Sequence, residues 1–330
     1  MYKIKLKNNK SFQCDENLTI FEAAKKNNIT LEHSCLNSRC STCMVKVISG
    51  QTKNNEEESV LTEEQKKQKF VLSCNAKPLS DLELDIEDLG EITIFEKKII
   101  PAKISVIEKL TDEVIKLVLR IPPNSNFNFN SGQYVNIFKA SVKRSYSIAN
   151  NFNNGNQLHF FIKYYDKGLM SEYFFNKAKL NDLLRIEGPI GTFFLRNTPI
   201  KNIIFLSTGT GIAPVKAILE SLISSETKYL NKKFWIIHGA RYKKDLFWNP
   251  SIKNTNLDIE YVPVLSRENE NWKGAKGYVQ HIVLNKQIDL SDSQVYACGS
   301  NEMIESAKNL LCCSGLEEIN FFSDAFIQTN

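Results

Sequence analysis

Arg144-Ser145-Tyr146-Ser147 follows the apolar run Tyr134-Val135-Asn136-Ile137-Phe138, whose alternation reads as a half-buried strand. A cation, an aromatic ring and two hydroxyls on an extended segment can grip a phosphate, cover a flat ring and bond its edge. The same residues would also serve as a plain strand end with a surface Arg and a packing Tyr, and short motifs match by accident often. The rest of the chain has to separate the two readings.

With 330 residues the chain has room for two or three domains with cores of their own. Its hydrophobic content of 42% and charged content of 24% are ordinary for a soluble globular protein. The net charge of +5 is mild over this length, and Lys and Arg are interspersed with Asp and Glu, so no nucleic-acid partner is expected. No apolar stretch approaches the roughly 20 residues of a membrane span. The N-terminus, Met1-Tyr2-Lys3-Ile4-Lys5-Leu6-Lys7, alternates as an edge strand does and not as a signal peptide. The chain is therefore expected to be cytoplasmic with no membrane partner, its eight Cys serving as metal ligands and reduced thiols rather than disulfides.

Cys35-x4-Cys40-x2-Cys43, with Cys74 a strand and a helix later, has the spacing of a plant-type 2Fe-2S site. Two ferric ions bridged by two sulfides still need two soft anionic ligands apiece. A tight loop supplies three thiolates and a distant residue closes the cage. A zinc site would show a second Cys-x2-Cys or a His pair, and neither is present. His33 reads as a surface or capping residue and Cys14 as a buried strand residue. Ser38 and Ser41 stand where ferredoxins of this type usually carry Gly, so the loop must turn its amides toward the sulfides with a Cβ present, retuning the potential without abolishing binding.

Around this loop the sequence gives a turn at Asn8-Asn9 and a helix from Leu18 to Lys26 begun by Asp15-Glu16-Asn17. The acidic run Glu56-Glu57-Glu58 with Glu63-Glu64 reads as the solvated start of a helix rather than a dock for a basic partner. Asp81 to Ile86 alternates as a closing strand, and residues 87 to 97, with Gly90, read as a linker.

From Ile99 onward short alternating runs are separated by turn signals: Ala102 to Leu110, Val114 to Ile121, Gln133 to Phe138 and Leu158 to Tyr164. That pattern predicts an antiparallel barrel. Asn150 to Asn156 reads as an exposed hairpin loop. Gly168-Leu169-Met170-Ser171 precedes a helical stretch from Glu172 to Lys179, and an N-cap Ser171 would explain it alone.

Asn202 to Ser207 is a continuous apolar run of the kind parallel sheets bury on both faces. It ends in Thr208-Gly209-Thr210-Gly211-Ile212-Ala213-Pro214, and a helix follows through Leu222. Strand, glycine turn and helix together cradle an anion, the glycines admitting phosphates and the helix N-terminus stabilising their charge. The next strand, Phe234 to His238, carries no carboxylate at its tip, which argues against an ordinary NAD-linked dehydrogenase. His238 reads as a satisfied strand-end histidine. Tyr296-Ala297-Cys298-Gly299-Ser300 ends a further strand, a helix runs from Asn301 to Leu311, and Cys312 and Cys313 read as helix packing.

Arg144 to Asn150 resembles the FAD signature of the ferredoxin reductase superfamily, and the resemblance extends over essentially the whole chain. It implies a β-grasp 2Fe-2S ferredoxin domain (1–95), a Greek-key β-barrel FAD domain (98–198) and a parallel-sheet α/β NAD(P)-binding domain (199–330). Carried over by position, Arg144 binds the FAD pyrophosphate, Tyr146 stacks on the isoalloxazine and Ser147 bonds near flavin N5. Gly168, Met170 and Ser171 lie at the pyrophosphate, and Glu187 to Phe193 resembles the turn between flavin and nucleotide domains. Gly209, Thr210, Gly211 and Pro214 take the nucleotide phosphates. Cys298 and Gly299 lie at the nicotinamide, Phe326 covers the flavin face that nicotinamide must occupy, and Asp324 relays a proton. Ser266-Arg267 and Lys276-x-Tyr278 fall at the offsets used for the 2'-phosphate of NADP, but Trp272-x-Gly274-x-x-Gly277-x-Val279 also resembles NADH-linked oxygenase reductases. NADH is therefore favoured, with NADPH open.

The module order implies a wire from NAD(P)H to FAD to the cluster to a protein electron acceptor. Glu32-His33-Ser34-Cys35, Leu61 to Glu64, Arg185 to Pro189, Gly191 to Phe194 and Phe321 to Phe326 are similar to the CDP-6-deoxy-3,4-glucoseen reductase group. That implies a PMP-dependent CDP-6-deoxy-hexulose 3-dehydrase of 3,6-dideoxysugar biosynthesis as acceptor. The alternatives are the reductase of a mono- or dioxygenase, and a non-catalytic flavin and iron-sulfur redox sensor.

Overall fold

A computed structural model describes residues 1–90, 92–152, 155–252, 254–268 and 272–326. Glu91 of the expected linker and Asn153 and Asn154 of the expected hairpin loop lie outside the described residues. The chain divides into two compact units, Met1–Ile94 and Phe95–Gln328. Among the described residues no helix is long and apolar enough to cross a membrane.

In the first unit β1 (Tyr2–Leu6) buries Ile4 and Leu6 while its lysines face out, and Asn9, at φ 63, turns the chain into the antiparallel β2 (Ser11–Cys14). Helix α1 (Ile20–Lys26) begins later than Leu18. The reason is a capping box at Thr19: its hydroxyl accepts from Glu22 N, and the Glu22 carboxylate accepts from Thr19 N at 2.9 Å. Asp15 is spent on its own turn, accepting from Asn17 N.

There follow β3 (Met44–Ser49), β4 (Thr52–Asn54), α2 (Glu63–Lys67), β5 (Phe70–Leu72), β6 (Ala76–Pro78) and β7 (Leu82–Leu84). The main sheet has the order β2-β1-β7-β3-β5, with β1 and β7 parallel, and α1 packs Ile20, Ala23 and Ala24 onto it. The acidic run is half as expected: Glu63 and Glu64 open α2 behind a Thr62 cap with Gln65, but Glu56 to Glu58 lie in the loop before it, where the Glu58 side chain is buried and its carboxylate accepts from Val60 N and Leu61 N, both at 3.0 Å.

The second unit opens with an antiparallel sheet built from β8 (Lys98–Lys109), β9 (Val114–Arg120), β10 (Tyr134–Lys139), β11 (Val142–Ser147), β12 (Gln157–Lys163) and β13 (Leu183–Ile190). The order is β11-β10-β13-β8-β9-β12, and just past β11 Ala149 N donates to His159 O of β12 at 2.8 Å, so the sheet curls back on itself around a core that includes Leu117, Val135, Ile137 and Phe160. The helix expected from Glu172 starts earlier, as α3 (Leu169–Glu172), and continues as a π-type turn over Tyr173–Lys177. It starts there because Met170 and Phe174 are apolar anchors buried in the barrel core.

The second sheet is wholly parallel: β14 (Asn202–Thr208), β15 (Lys233–Ala240), β16 (Asp258–Leu265), β17 (Ala275–Lys276), β18 (Ser293–Gly299) and β19 (Phe321–Ala325), in the order β17-β16-β15-β14-β18-β19. Helices α4 (Ile212–Ser224), α5 (Val279–Asn285) and α6 (Asn301–Cys313) supply the crossovers. Ile203, Phe205 and Ile236 share a core with α4 and with Phe161 and Phe193 of the barrel region, whereas Ile204, Leu206 and Ile237 face α5 and α6. This two-sided burial is why the strand reads as unbroken apolar sequence. The reading of Cys312 and Cys313 is half corrected. Cys312 packs against the core, but Cys313 is exposed on the solvent side of α6.

Candidate functional site

In the first unit the four cysteines meet as two pairs. Cys43 Sγ donates to Cys74 Sγ at 3.3 Å, and the Cys35 and Cys40 thiols are hydrogen-bonded to each other, with Cys35 N also donating to Cys40 Sγ at 3.5 Å. In each pair one thiol is held below its usual range, Cys35 by its bond to Cys40 and then by the amides of Asn37, Arg39 and Cys40, and Cys74 by its bond to Cys43 and then by Ser38. Among the described residues no group of three His, Cys, Asp or Glu suits a single ion. Two thiols per metal is the donor set a two-iron cluster asks for, so the residues fit that group.

Of the two departures from glycine, only Ser38 lies in left-handed backbone, at φ 58, and Leu36 joins it at φ 53; Ser41 needs no such turn. His33 sits with Nδ1 3.0 Å from Leu31 O and its ring 4.8 Å from that of Phe21, so it is a packing residue.

In the second unit β11 sorts its residues by alternation. Arg144 and Tyr146 share one face, where Tyr146 lies edge-on to Phe174 at 6.1 Å and burial pushes its phenol pKa up. Ser145 and Ser147 share the other. Ser145 Oγ donates to Asn136 Oδ1 at 2.7 Å, and the buried Ser147 donates to Asp324 Oδ2 of β19 at 3.2 Å. A strand of the barrel and the last strand of the parallel sheet thus touch through two buried polar groups.

The helix following Gly168 offers less than its motif suggested. Met170 is core, and the Ser171 hydroxyl lies 2.9 Å from both Tyr165 O and Gly168 O, its one proton serving one or the other, and accepts from Tyr165 N. Only the first backbone amides of α3 remain for a ligand.

At the nucleotide turn Gly209 has φ 54 with no atom within 4 Å of where a Cβ would stand, so the chain presents open backbone. Thr210 and Gly211 are buried behind it, and α4 starts without a side-chain cap and carries Pro214 in its first turn. The Ile212 N–H is taken by Gly209 O and Thr210 O and Pro214 has none, so the open backbone of the glycine turn ahead of α4 is what fits the phosphates of a dinucleotide.

Sheet register then places His238, Ser207, Cys298 and Asp324 side by side on four neighbouring strands. His238 has ring nitrogens 3.2 Å from Gly209 O and 3.2 Å from Tyr261 Oη, and burial holds its pKa down to about 4. It is satisfied, as expected, and steadies the turn as well. Cys298 is fully buried, which raises its thiol pKa well above the usual value, with Asp324 adding to the rise. A Cβ on Gly299 would fall 2.2 Å from Thr208 Oγ1. Phe326 N donates to Gly299 O at 2.8 Å, and the Phe326 ring packs on the core shared with the barrel.

Ser266 and Arg267 are brought elsewhere, to the end of β16, with Lys276 paired to Leu265 and Tyr278 64% exposed beyond it. These residues form one cationic sheet edge, separated by β15 and β14 from the strand of Cys298. Sequence reasoning missed Lys216 and Glu220 of α4. Their i,i+4 spacing marks an ion pair, but nothing in it tells where the pair reaches.

Three family models match: the 2Fe-2S iron-sulfur cluster binding domain over residues 4–79, the oxidoreductase FAD-binding domain over 101–195 and the oxidoreductase NAD-binding domain over 205–309. The chain is 39% identical over 319 residues to CDP-6-deoxy-L-threo-D-glycero-4-hexulose-3-dehydrase reductase of Yersinia pestis, covering 96% of this chain and 95% of the relative. It is 26% identical, over 93% of each chain, to the ferredoxin–NAD(P)(+) reductase component of the naphthalene 1,2-dioxygenase/salicylate 5-hydroxylase systems of a Ralstonia species. Among solved structures an Amycolatopsis cytochrome P450 reductase aligns over 99% of both chains with a TM-score of 0.73 at 19% identity, a likeness of fold.

Proposed function

Because the chain belongs to the ferredoxin reductase superfamily, among the members whose 2Fe-2S domain comes first, we propose that it carries electrons from NADH through FAD and the cluster to a CDP-6-deoxy-hexulose 3-dehydrase that uses PMP. An NAD(P)H oxidoreductase that transfers electrons by way of FAD and 2Fe-2S follows from the family itself. The choice of acceptor is the finer step, and the observation that carries it is the higher identity to the Yersinia dehydrase reductase than to the oxygenase reductase.

The chemistry a bound FAD supplies is the exchange of an electron pair for single electrons. The remaining work falls to the chain. Arg144 offers a guanidinium fork to the diphosphate. Tyr146 offers a ring face, and Ser147, held by Asp324, offers a hydroxyl whose direction is fixed. That bond also gives a proton a path between the flavin edge and a buried carboxylate. The glycine turn at Gly209 would take the nucleotide phosphates, Cys298 would stand beneath the nicotinamide, and Phe326 would keep water from the same space until the nicotinamide arrives. Cys35 and Cys40 would hold one iron and Cys43 and Cys74 the other, as their pairing suggests.

The test is a coupled assay with a purified CDP-6-deoxy-hexulose 3-dehydrase and its CDP-sugar, run with NADH and NADPH separately. NADH should be consumed in step with loss of the sugar 3-hydroxyl, and faster than NADPH. Brisk NADH oxidation with an oxygenase component and none with the dehydrase would overturn the assignment.

A further inference from the structure

Helix α4 does more than open the nucleotide site; it also grips the chain leaving β11. Lys216 Nζ donates to Ala149 O at 2.8 Å and pairs with Glu220 one turn on, and Glu220 Oε2 accepts from Asn151 N at 3.0 Å. The backbone on either side of Asn150 is therefore held at two points by one helix. Asn150 is itself fully buried, donating to Gln157 O at 3.1 Å and accepting from His159 N at 2.7 Å, so the segment has little slack. Ser147 lies two residues before Ala149. A displacement of α4 must move it.

The apolar contacts of this seam, with Ala149, Phe161 and Phe193 packed among Ile212, Ala213 and Val215, are well buried but carry no direction of their own. Phe161 meets Phe247 with ring centroids 5.0 Å apart, and beside them a half-open cleft of about 300 Å³ is lined by Lys116, His159 and Trp248 together with Lys216 and Glu220. On the side of the cleft no packing among the described residues backs the helix against the strand, so polar contacts are left to hold it there. A half-buried ammonium bonded to a carbonyl and a carboxylate is directional.

We propose that Lys216, supported by Glu220, is a positioning residue for hydride transfer: it fixes the flavin-binding strand in register with the nucleotide-binding turn. The inference rests on the assignment of FAD to β11 and of the dinucleotide to the turn at Gly209.

The test follows rapid reduction of the FAD-loaded protein by saturating NADH, together with FAD content, KM, the nicotinamide–flavin charge-transfer absorbance and thermal stability. In Lys216→Met the reduction rate should fall about tenfold or more, since misplacement by an ångström can cost a hundredfold. The charge-transfer band should weaken, while FAD content and thermal midpoint hold and KM changes less than about twofold, as expected for lost alignment rather than lost binding. Lys216→Arg should recover most of the rate, and Glu220→Gln, which keeps an acceptor for Asn151, should fall between. An unchanged rate in Lys216→Met, a fall that only tracks lost FAD or lost folding, or an Arg variant no better than Met would overturn the proposal. Wild-type protein that binds no FAD, or whose FAD is not reduced by NADH, would instead overturn the functional reading beneath it.

Discussion

Gly299 shows how a single missing Cβ lets the end of β18 close against Thr208 of β14. Its φ of 150 and the 2.2 Å that would separate a Cβ from Thr208 Oγ1 mean that Gly299→Ala must strain the backbone or push the strand off β14. A loss of about 1–3 kcal/mol in urea unfolding is expected, with weaker NADH binding. Ser38 is the opposite case. A serine at φ 58 carries left-handed strain that glycine does not, so Ser38→Gly should raise stability by up to about 1 kcal/mol despite the entropy glycine costs. A stability below wild type would show that the Ser38 hydroxyl contributes more than the strain removes. The turn at Ser38 was legible from the glycines that ferredoxins of this type usually carry, though the same pattern also pointed to Ser41, which needs none. The need at Leu36 was not, because nothing in a leucine marks a left-handed position.

At the scale of elements the strands of the barrel read well because their apolar alternation is local, and helix starts read less well because several polar residues compete to cap. Asp15, Asn17 and Thr19 can all open a helix, and the reciprocal bond with Glu22 decides for Thr19. The joint of β10, β11 and β13 depends on a charge that sequence could not place. Burial by itself would raise the Glu187 pKa, but Lys143, Asn136 and Lys97 donate to its carboxylate and bring it down to about 2. A depressed carboxylate pKa stabilises the fold above the unfolded value, near 4.3, and that stability is lost as pH falls through the folded value. Glu187→Gln should therefore cost roughly 1–2 kcal/mol at pH 7 and progressively less from about pH 5 down toward pH 2. A penalty that stays constant over that range, read from denaturation at each pH, would mean that the charge contributes nothing.

For the whole molecule the prediction concerns the order of the wire. Removing one cluster ligand in Cys40→Ser should leave NADH-dependent reduction of ferricyanide through FAD largely intact while reduction of cytochrome c falls at least about tenfold, because only the latter needs the cluster. Equal loss of both would contradict the order. The module sequence was legible from the spacing of Cys35, Cys40, Cys43 and Cys74 and from the glycine turn after β14, since each is a local pattern with one chemical use. The contact of Ser147 with Asp324, 177 positions apart, and the reach of Lys216 to Ala149 were not legible, because no local pattern encodes a meeting of distant strands. The acceptor lies outside the chain, so it was legible through resemblance to the dehydrase reductases and not through residues that touch it.

The most direct test of the relay is low-temperature electron paramagnetic resonance on protein reconstituted with FAD and cluster, after addition of NADH alone. Transfer through the chain predicts the signal of a reduced two-iron centre, approaching the intensity that dithionite produces in the same sample. A cluster that stays silent with NADH while dithionite raises its full signal would contradict it.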